Sequence, residues 1–223
     1  LHAMSRRQRQ MCIRDSKIDY FNVEKGYCNW WKPKFWRLTF NENQVTEIKG
    51  QWDNKRFTAF NMPMRPMKKD GEQVYIVAPS QNGFDIYDLP IKVDDWIEQT
   101  VTEVKKYTDR PIKIRRKVPK KARGSRGFCD TLDNIYCVIS LHTMAVTEVL
   151  REGIPVISMH PGVLKNYSSN KISQINNLYY PSDTERGKLF NCLTNIQFTN
   201  QELVDGEALE TMCDYYGIKI LPK

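Results

Sequence analysis

A candidate phosphate-binding site lies where an apolar run ends in Ser140 and an amphipathic segment begins at Thr143. The apolar run predicts a buried strand and the amphipathic segment a helix. Ser140 or Thr143 suits the helix N-cap, and the free N–H groups of a helix N-terminus attract anions. His142 could donate a hydrogen bond to a phosphate, and Glu148 could accept one from a ribose hydroxyl pair. The same spacing also fits an ordinary capped strand–helix junction.

A second candidate group is basic. Eight lysines and arginines, with no acidic residue between them, lie in residues 113–126. This run begins at the end of a predicted strand and continues into a glycine-containing loop. Arg115 and Lys117 are nearest to the strand end, which is the region where a diphosphate would bind. Two alternatives stay open: a contact with nucleic acid, weakened by salt, and a solvated loop without a ligand.

His160 is a weaker candidate, as a catalytic base or a contact to a nucleobase, because it follows a further predicted strand. A surface turn set by the Pro-Gly pair after it explains the same residues. Histidine is scarce and no two cysteines have CxxC spacing, so we expect no metal site. Scattered cysteines indicate buried thiols in a reducing compartment; they are Cys28, Cys129, Cys137, Cys192 and Cys213.

The candidate residues lie at the ends of predicted strands and helices that alternate along the chain. The patterns predict strands over 74–79, 112–115, 134–140 and 154–159, and helices over 94–107, 143–151 and 202–216. This order predicts an α/β fold, a Rossmann-like parallel sheet with flanking helices. In such sheets the ligand lies beyond the carboxyl ends of the strands. No apolar run approaches the ~20 residues of a membrane-spanning helix.

The first part of the chain needs separate treatment. Residues 6–15 reproduce, in order, one reading frame of a transposon-end sequencing adapter. We therefore interpret residues 1–16 as an artefact and expect the natural N-terminus to lie upstream. Those ten residues hold four arginines and one aspartate, so removing them lowers the formal charge from +8 to +5.

Residues 17–70 are interpreted as an aromatic-rich remnant of an N-terminal region, followed by an extended linker over 62–71. The aromatic residues could form a platform for stacking bases or sugars, although a small core explains them better. Residues 71–223 are interpreted as the Rossmann-like domain.

Several short motifs, taken in order, resemble one protein family. Glu148 stands five residues before a Gly-Ile-Pro-Val segment that begins at Gly153, as in the nucleotide-binding half of GT-B glycosyltransferases. Ser140 stands where many of those enzymes have a first glutamate, and this departure is similar to capsule-polysaccharide and phage-encoded transferase-like proteins. Further matching positions are Tyr20, Phe21, Asn22, Trp36, Arg37, Pro66, Gly71, Trp96, Thr100, Asp109, Arg110, Pro111, Gln197, Phe198, Thr199, Glu202 and Gly206.

The resemblance implies the nucleotide-binding half of a GT-B fold and transfer of a sugar from a nucleotide-activated donor to an unidentified acceptor. The nucleotide-sugar is a substrate, and no further cofactor or metal is implied. Arg115, Lys117, Ser140 and Thr143 would hold the diphosphate, with His142 beside them, and Glu148 would contact the ribose or sugar. In such enzymes the catalytic base commonly belongs to the other domain, so His142 and His160 are only weak candidates. A cytoplasmic location, in the host cytoplasm for a phage-encoded protein, is expected.

Two alternatives belong to other functional classes. A nucleic-acid-binding protein without enzymatic activity would use the basic 113–126 loop together with Trp30, Trp31 and Trp36. An inactive structural protein related to GT-B enzymes would have the fold and bind no ligand. The position of the basic residues distinguishes these alternatives, because a transferase needs them at the strand ends beside Ser140.

Overall fold

The structure is a computed structural model that describes residues 18–28, 34–86, 89–117, 131–141, 143–160 and 162–219. Its strands are β1 (Phe21–Lys25), β2 (Trp36–Phe40), β3 (Gln73–Val77), β4 (Ile112–Arg115), β5 (Ile135–Ser140), β6 (Val156–Ser158) and β7 (Gln197–Phe198). Its helices are α1 (Lys55–Ala59), α2 (Gln81–Ile86), α3 (Val93–Val104), α4 (Ala145–Arg151), α5 (Asp183–Asn195), α6 (Asn200–Val204) and α7 (Glu207–Tyr216), with a 3₁₀ turn at Ile172–Gln174. The described residues form two compact units, one of residues 64–182 and one of residues 18–63 and 183–219.

The 64–182 unit contains a four-stranded sheet in the order β4-β3-β5-β6, and every neighbouring pair is parallel. This arrangement confirms the predicted α/β class and the parallel sheet with flanking helices. Strands β3, β5 and β6 are largely apolar because both faces of a parallel sheet are covered, whereas the edge strand β4 alternates apolar and basic residues. The core side chains include Val74, Ile76, Cys137, Ile139 and Ile157, all fully buried.

Helix α3 has the amphipathic pattern expected from the sequence. Trp96, Ile97, Thr100 and Val104 are its buried residues, and they recur on one face at helical spacing. Acidic residues occupy its first turn, where they interact favourably with the helix dipole. The helix begins at Val93 and ends earlier than the predicted residue 107, because turns and a proline precede β4.

The turn after helix α4 contains a glycine, Gly153, that no other residue could replace easily. Gly153 has φ of +78°, and a Cβ atom there would lie 2.0 Å from the carbonyl oxygen of Pro66. The nearby backbone is paired, since the Lys68 N–H donates to the Gly153 carbonyl oxygen at 2.6 Å and the Arg65 N–H to that of Arg151 at 2.8 Å. The segment expected to be a linker therefore packs against the end of α4.

The second unit contains a three-stranded antiparallel sheet in the order β1-β2-β7. Tyr27 and Phe35 are buried in it, in agreement with a small aromatic core. The sequence interpretation placed residues 183–223 in the Rossmann-like domain. In the structure, residues 183–219 instead complete the unit that begins at residue 18, because β7 pairs with β2.

The predicted single helix over residues 202–216 is wrong. Two helices, α6 and α7, occupy this stretch, and Gly206 between them has φ of +87°. That left-handed conformation cannot continue an α-helix. Within this stretch, Ala208 and Met212 are buried, whereas Leu209 is 42% exposed.

Candidate phosphate-binding edge of the parallel sheet

The last residues of the four parallel strands form one row across the sheet. Arg115 is the register partner of Val77, Val77 also pairs with Ser140, and Ser140 pairs with Ser158. Neighbouring strands are about 4.8 Å apart, so the Arg115 and Ser140 backbones are separated by roughly 10 Å. The structure thus brings two of the predicted site residues to the same edge, on either side of β3.

The strand order makes this edge the natural place for a ligand. The chain passes from β3 to β4 on one side, then returns to place β5 and β6 on the other side of β3. The connections after β3 and β5 therefore lead in opposite directions, and a crevice forms between such loops in open α/β sheets. Residues 78–80 and 141–143 begin these two loops.

Lys117 approaches this crevice from the end of β4. Its Nζ atom lies 3.5 Å from the Ser80 hydroxyl oxygen, just beyond the end of β3. Arg116, in contrast, forms an ion pair with Asp94 in the first turn of α3. The basic run therefore divides within the described residues, because the Arg116 guanidinium contacts a carboxylate and the Lys117 ammonium contacts a hydroxyl.

The hydroxyl of Ser140 links two strands. Ser140 is 1% exposed, and its Oγ donates to the Val77 carbonyl oxygen at 3.0 Å. The hydroxyl oxygen keeps lone pairs but has no second proton to donate. A direct hydrogen bond from Ser140 to a phosphate would require this bond to break.

The prediction that Ser140 caps the following helix is wrong, and Thr143 contributes only one long hydrogen bond at the start of that helix. Helix α4 begins at Ala145 rather than at residue 143, its N-cap is Met144, and that residue makes no side-chain cap hydrogen bond. Thr143 instead forms a local turn, where its Oγ1 accepts from the Ala145 N–H at 3.4 Å. The Ser140 hydroxyl donates to the Val77 carbonyl oxygen of β3, and it therefore does not reach the helix.

The other predicted residues differ in how close they lie to this edge. His160 follows β6 at the same edge, and its backbone N–H donates to the Leu141 carbonyl oxygen at 3.1 Å. Glu148 is half-buried inside α4, and its proposed contact to ribose stays a prediction. His142 and the basic residues from 120 to 126 lie outside the described residues, as do Trp30 and Trp31.

Sequence reasoning missed two hydroxyl residues at this edge. Ser80 follows β3 and meets Lys117, while Ser158 ends β6 and donates to the His160 carbonyl oxygen at 3.3 Å. The available signal was a serine directly after, or at the end of, an apolar run. Pro79 before Ser80 obscured it, because a proline there suggests only a turn.

The cysteines in the described chain are structural. Cys28, Cys137, Cys192 and Cys213 are buried free thiols, as predicted. Burial raises the pKa of Cys137 to about 12 and that of Cys192 to about 11, which disfavours the reactive thiolate. Within the described ranges, no group of three or more His, Cys, Asp or Glu side chains could hold a metal. No described helix has the length and apolar character needed to cross a membrane.

Comparison of the chain with protein-family models, curated proteins and solved structures gave no match. Function is therefore inferred from the geometry of the sheet edge and from the order of the sequence motifs.

Proposed function

We propose that the 64–182 unit binds a nucleotide-activated sugar at the carboxyl edge of its parallel sheet, and that the protein transfers this sugar to an acceptor. The observation that carries the proposal is that Arg115 ends β4 in register with Val77 at the end of β3, while the Lys117 ammonium lies 3.5 Å from the Ser80 hydroxyl oxygen. Two cations at the carboxyl end of β4, one of them beside a hydroxyl that follows β3, suit a diphosphate bound at this edge of the sheet. The resemblance to GT-B transferases supports a sugar on that diphosphate.

Each residue then has a distinct task. Arg115 and Lys117 stabilise the negative charge that develops on the departing nucleoside diphosphate when the bond to the sugar breaks. Ser80 and Thr143 offer hydroxyl groups from the two sides of the crevice. Glu148 accepts hydrogen bonds from ribose or sugar hydroxyls. The proton of the attacking acceptor goes to a base that this proposal does not assign.

Thermal unfolding of the full chain with a panel of nucleotide-sugars tests the proposal. We expect saturable stabilisation by at least one of them, lost or much reduced in Arg115→Ala and Lys117→Ala. Lys105→Ala is the matched control. Lys105 is exposed and follows α3, which leads to the start of β4 and hence to the opposite edge of the sheet.

Single-stranded oligonucleotides, each at low and high salt, provide the opposing test. Stabilisation by oligonucleotides alone, falling steeply with salt, would overturn the transferase proposal in favour of nucleic-acid binding. The described residues offer that alternative little support, because Trp36 is half-buried and its indole N–H donates to Asn200 at 2.6 Å.

A further inference from the structure

A pocket in the second unit combines aromatic rings with carboxylates. It has a volume of about 270 Å³ and lies where the turn after β2 meets the end of α7. Its lining residues are Phe40, Asn41, Glu42, Thr46, Glu47, Lys49, Tyr215 and Tyr216. None of them belongs to the sheet edge described above.

The rings of this pocket stand at steep angles to one another. The Tyr215 and Tyr216 rings are 5.1 Å apart at 79°, and the Phe40 and Tyr216 rings are 5.8 Å apart at 52°. Trp52 stacks on Tyr215 at 6.3 Å and 26°. Such distances and angles are typical of aromatic rings that pack edge to face, and the ring faces left uncovered attract cations through the ring quadrupole.

Glu42 supplies a carboxylate that forms no ion pair among the described residues, although the charge of Lys49 acts on it. It is half-buried, and its carboxylate accepts from the Tyr216 hydroxyl at 2.6 Å and from the Thr46 hydroxyl at 3.3 Å. Within the described chain, no basic side chain forms an ion pair with it. Burial raises its pKa, because the charged form loses water without gaining a cation in contact.

The charge of the lining is also negative. The single lysine, Lys49, is half-exposed and pairs with Glu47 at 3.6 Å. The phenol of Tyr215 donates to the Glu47 carbonyl oxygen, and that of Tyr216 to Glu42, so neither hydroxyl is directed at a ligand. Rings and carboxylate are therefore available together, which suits a cation better than a neutral polyol.

We propose that this pocket binds a methylated ammonium group. The methyl groups would contact the rings of Phe40, Tyr215 and Tyr216, while Glu42 would balance the charge. Such a group occurs in choline headgroups and in methylated lysine side chains. The proposal is independent of the proposed function, since the pocket and the sheet edge belong to different units.

Calorimetric titration of the full chain with choline tests this inference. We expect saturable binding with one site, and binding at least about tenfold weaker for the neutral isostere 3,3-dimethylbutan-1-ol. Equal binding of the two compounds, binding of methyl glucoside in place of choline, or no saturable heat up to roughly 20 mM choline would overturn it.

Variants locate the site. Glu42→Gln keeps the shape of the side chain and is expected to weaken choline binding by about tenfold. Glu98→Gln, an exposed carboxylate on α3, is the matched control and should bind choline like the unmodified chain. Unchanged binding in Glu42→Gln contradicts the proposal. Circular dichroism checks that each variant folds, and the isostere comparison needs no variant at all.

Trp52 offers an independent reporter, because it stacks on Tyr215. We expect choline to change the tryptophan fluorescence of the full chain and Trp52→Phe to lose that change. Persistence of the change in Trp52→Phe would place the choline elsewhere and refute the assignment. Titrations with phosphocholine and with Nα-acetyl-Nε-trimethyl-lysine then distinguish the two sources, and tighter binding of either supports the proposal.

Discussion

Gln197 shows, at the scale of single residues, how one buried polar side chain fixes a stretch of backbone. Its Oε1 accepts from the Cys28 N–H at 2.8 Å, and its Nε2 donates to the Cys28 carbonyl oxygen at 3.0 Å. Gln197 is fully buried, so water cannot replace these bonds. The Gln197 amide thereby satisfies both backbone polar groups of Cys28, as a neighbouring strand would do.

Replacing Gln197 with leucine should lower the free energy of unfolding by about 2 kcal/mol or more, since both Cys28 backbone groups lose their partner in a buried place. Urea denaturation measures this change. Gln201→Leu, at an exposed position of α6, is the control and should change stability by less than about 0.5 kcal/mol. Equal effects of the two substitutions would contradict this account of Gln197.

Glu202 makes the stability of the second unit depend on pH. Burial raises the pKa of its carboxyl, but hydrogen bonds from the Arg56 side chain and from Thr199 outweigh burial and lower it from 4.5 to about 2. Because the pKa of Glu202 is lower in the folded chain, its carboxylate contributes its full stabilisation at pH values above the unfolded pKa of 4.5. It is lost as pH falls from about 4.5 towards 2.

The stability difference between the unmodified chain and Glu202→Gln should therefore be constant near neutral pH. It should shrink below about pH 4.5 and vanish near pH 2. Denaturation curves recorded at several pH values measure it. Glu210→Gln, an exposed glutamate on α7, provides the control, with no such pH-dependent difference expected. A Glu202→Gln difference that stays constant down to pH 2 would rule out the depressed pKa.

The positions of two residues could be predicted because each of them ends a strand. Arg115 and Ser140 could be placed at one edge because parallel strands end on the same side. Ser140's bond to Val77 could not be foreseen, since it depends on which strand lies beside β5. Arg186 illustrates the same limit, because arginine is a residue type usually found at the surface, yet this side chain is 1% exposed within α5.

At the scale of elements, strands were predicted more accurately than helix ends. The strand over 112–115 matches β4, because an alternation of apolar and basic residues after a proline is distinctive. The helix over 202–216 failed because its apolar spacing continues across Gly206, and only the backbone conformation there separates α6 from α7. The helix expected at residue 143 starts two residues later, at Ala145.

The turn after α4 gives a prediction at this scale. Gly153→Ala should lower the free energy of unfolding by about 2 kcal/mol or more, because the added Cβ meets the Pro66 carbonyl oxygen and φ is positive. Gly187→Ala is the matched control. Nothing lies within 4 Å of a Cβ at Gly187, which is inside α5, so alanine should stabilise by about 0.5–1 kcal/mol. Urea denaturation of both variants measures the contrast, and a neutral Gly153→Ala would contradict it.

At the scale of the whole molecule, the sequence predicted the parallel sheet but not the composition of the second unit. Alternating strand and helix patterns determine an α/β sheet, because crossovers between parallel strands need helices. The pairing of β7 with β2 joins residues about 160 positions apart, and no local pattern encodes such a distant contact. A two-residue strand such as β7 also gives no periodicity to detect.

The central claim is that the carboxyl edge of the parallel sheet holds a nucleotide diphosphate. The most direct measurement is photocrosslinking of the full chain with an azido derivative of the nucleotide-sugar that stabilises it best, followed by peptide mapping. We predict crosslinks in peptides that contain residues 78–80, 115–117 or 141–143, suppressed by excess unlabelled nucleotide-sugar and by Arg115→Ala. Crosslinks confined to residues 18–63 or 183–219, or unaffected by the competitor, would contradict the account.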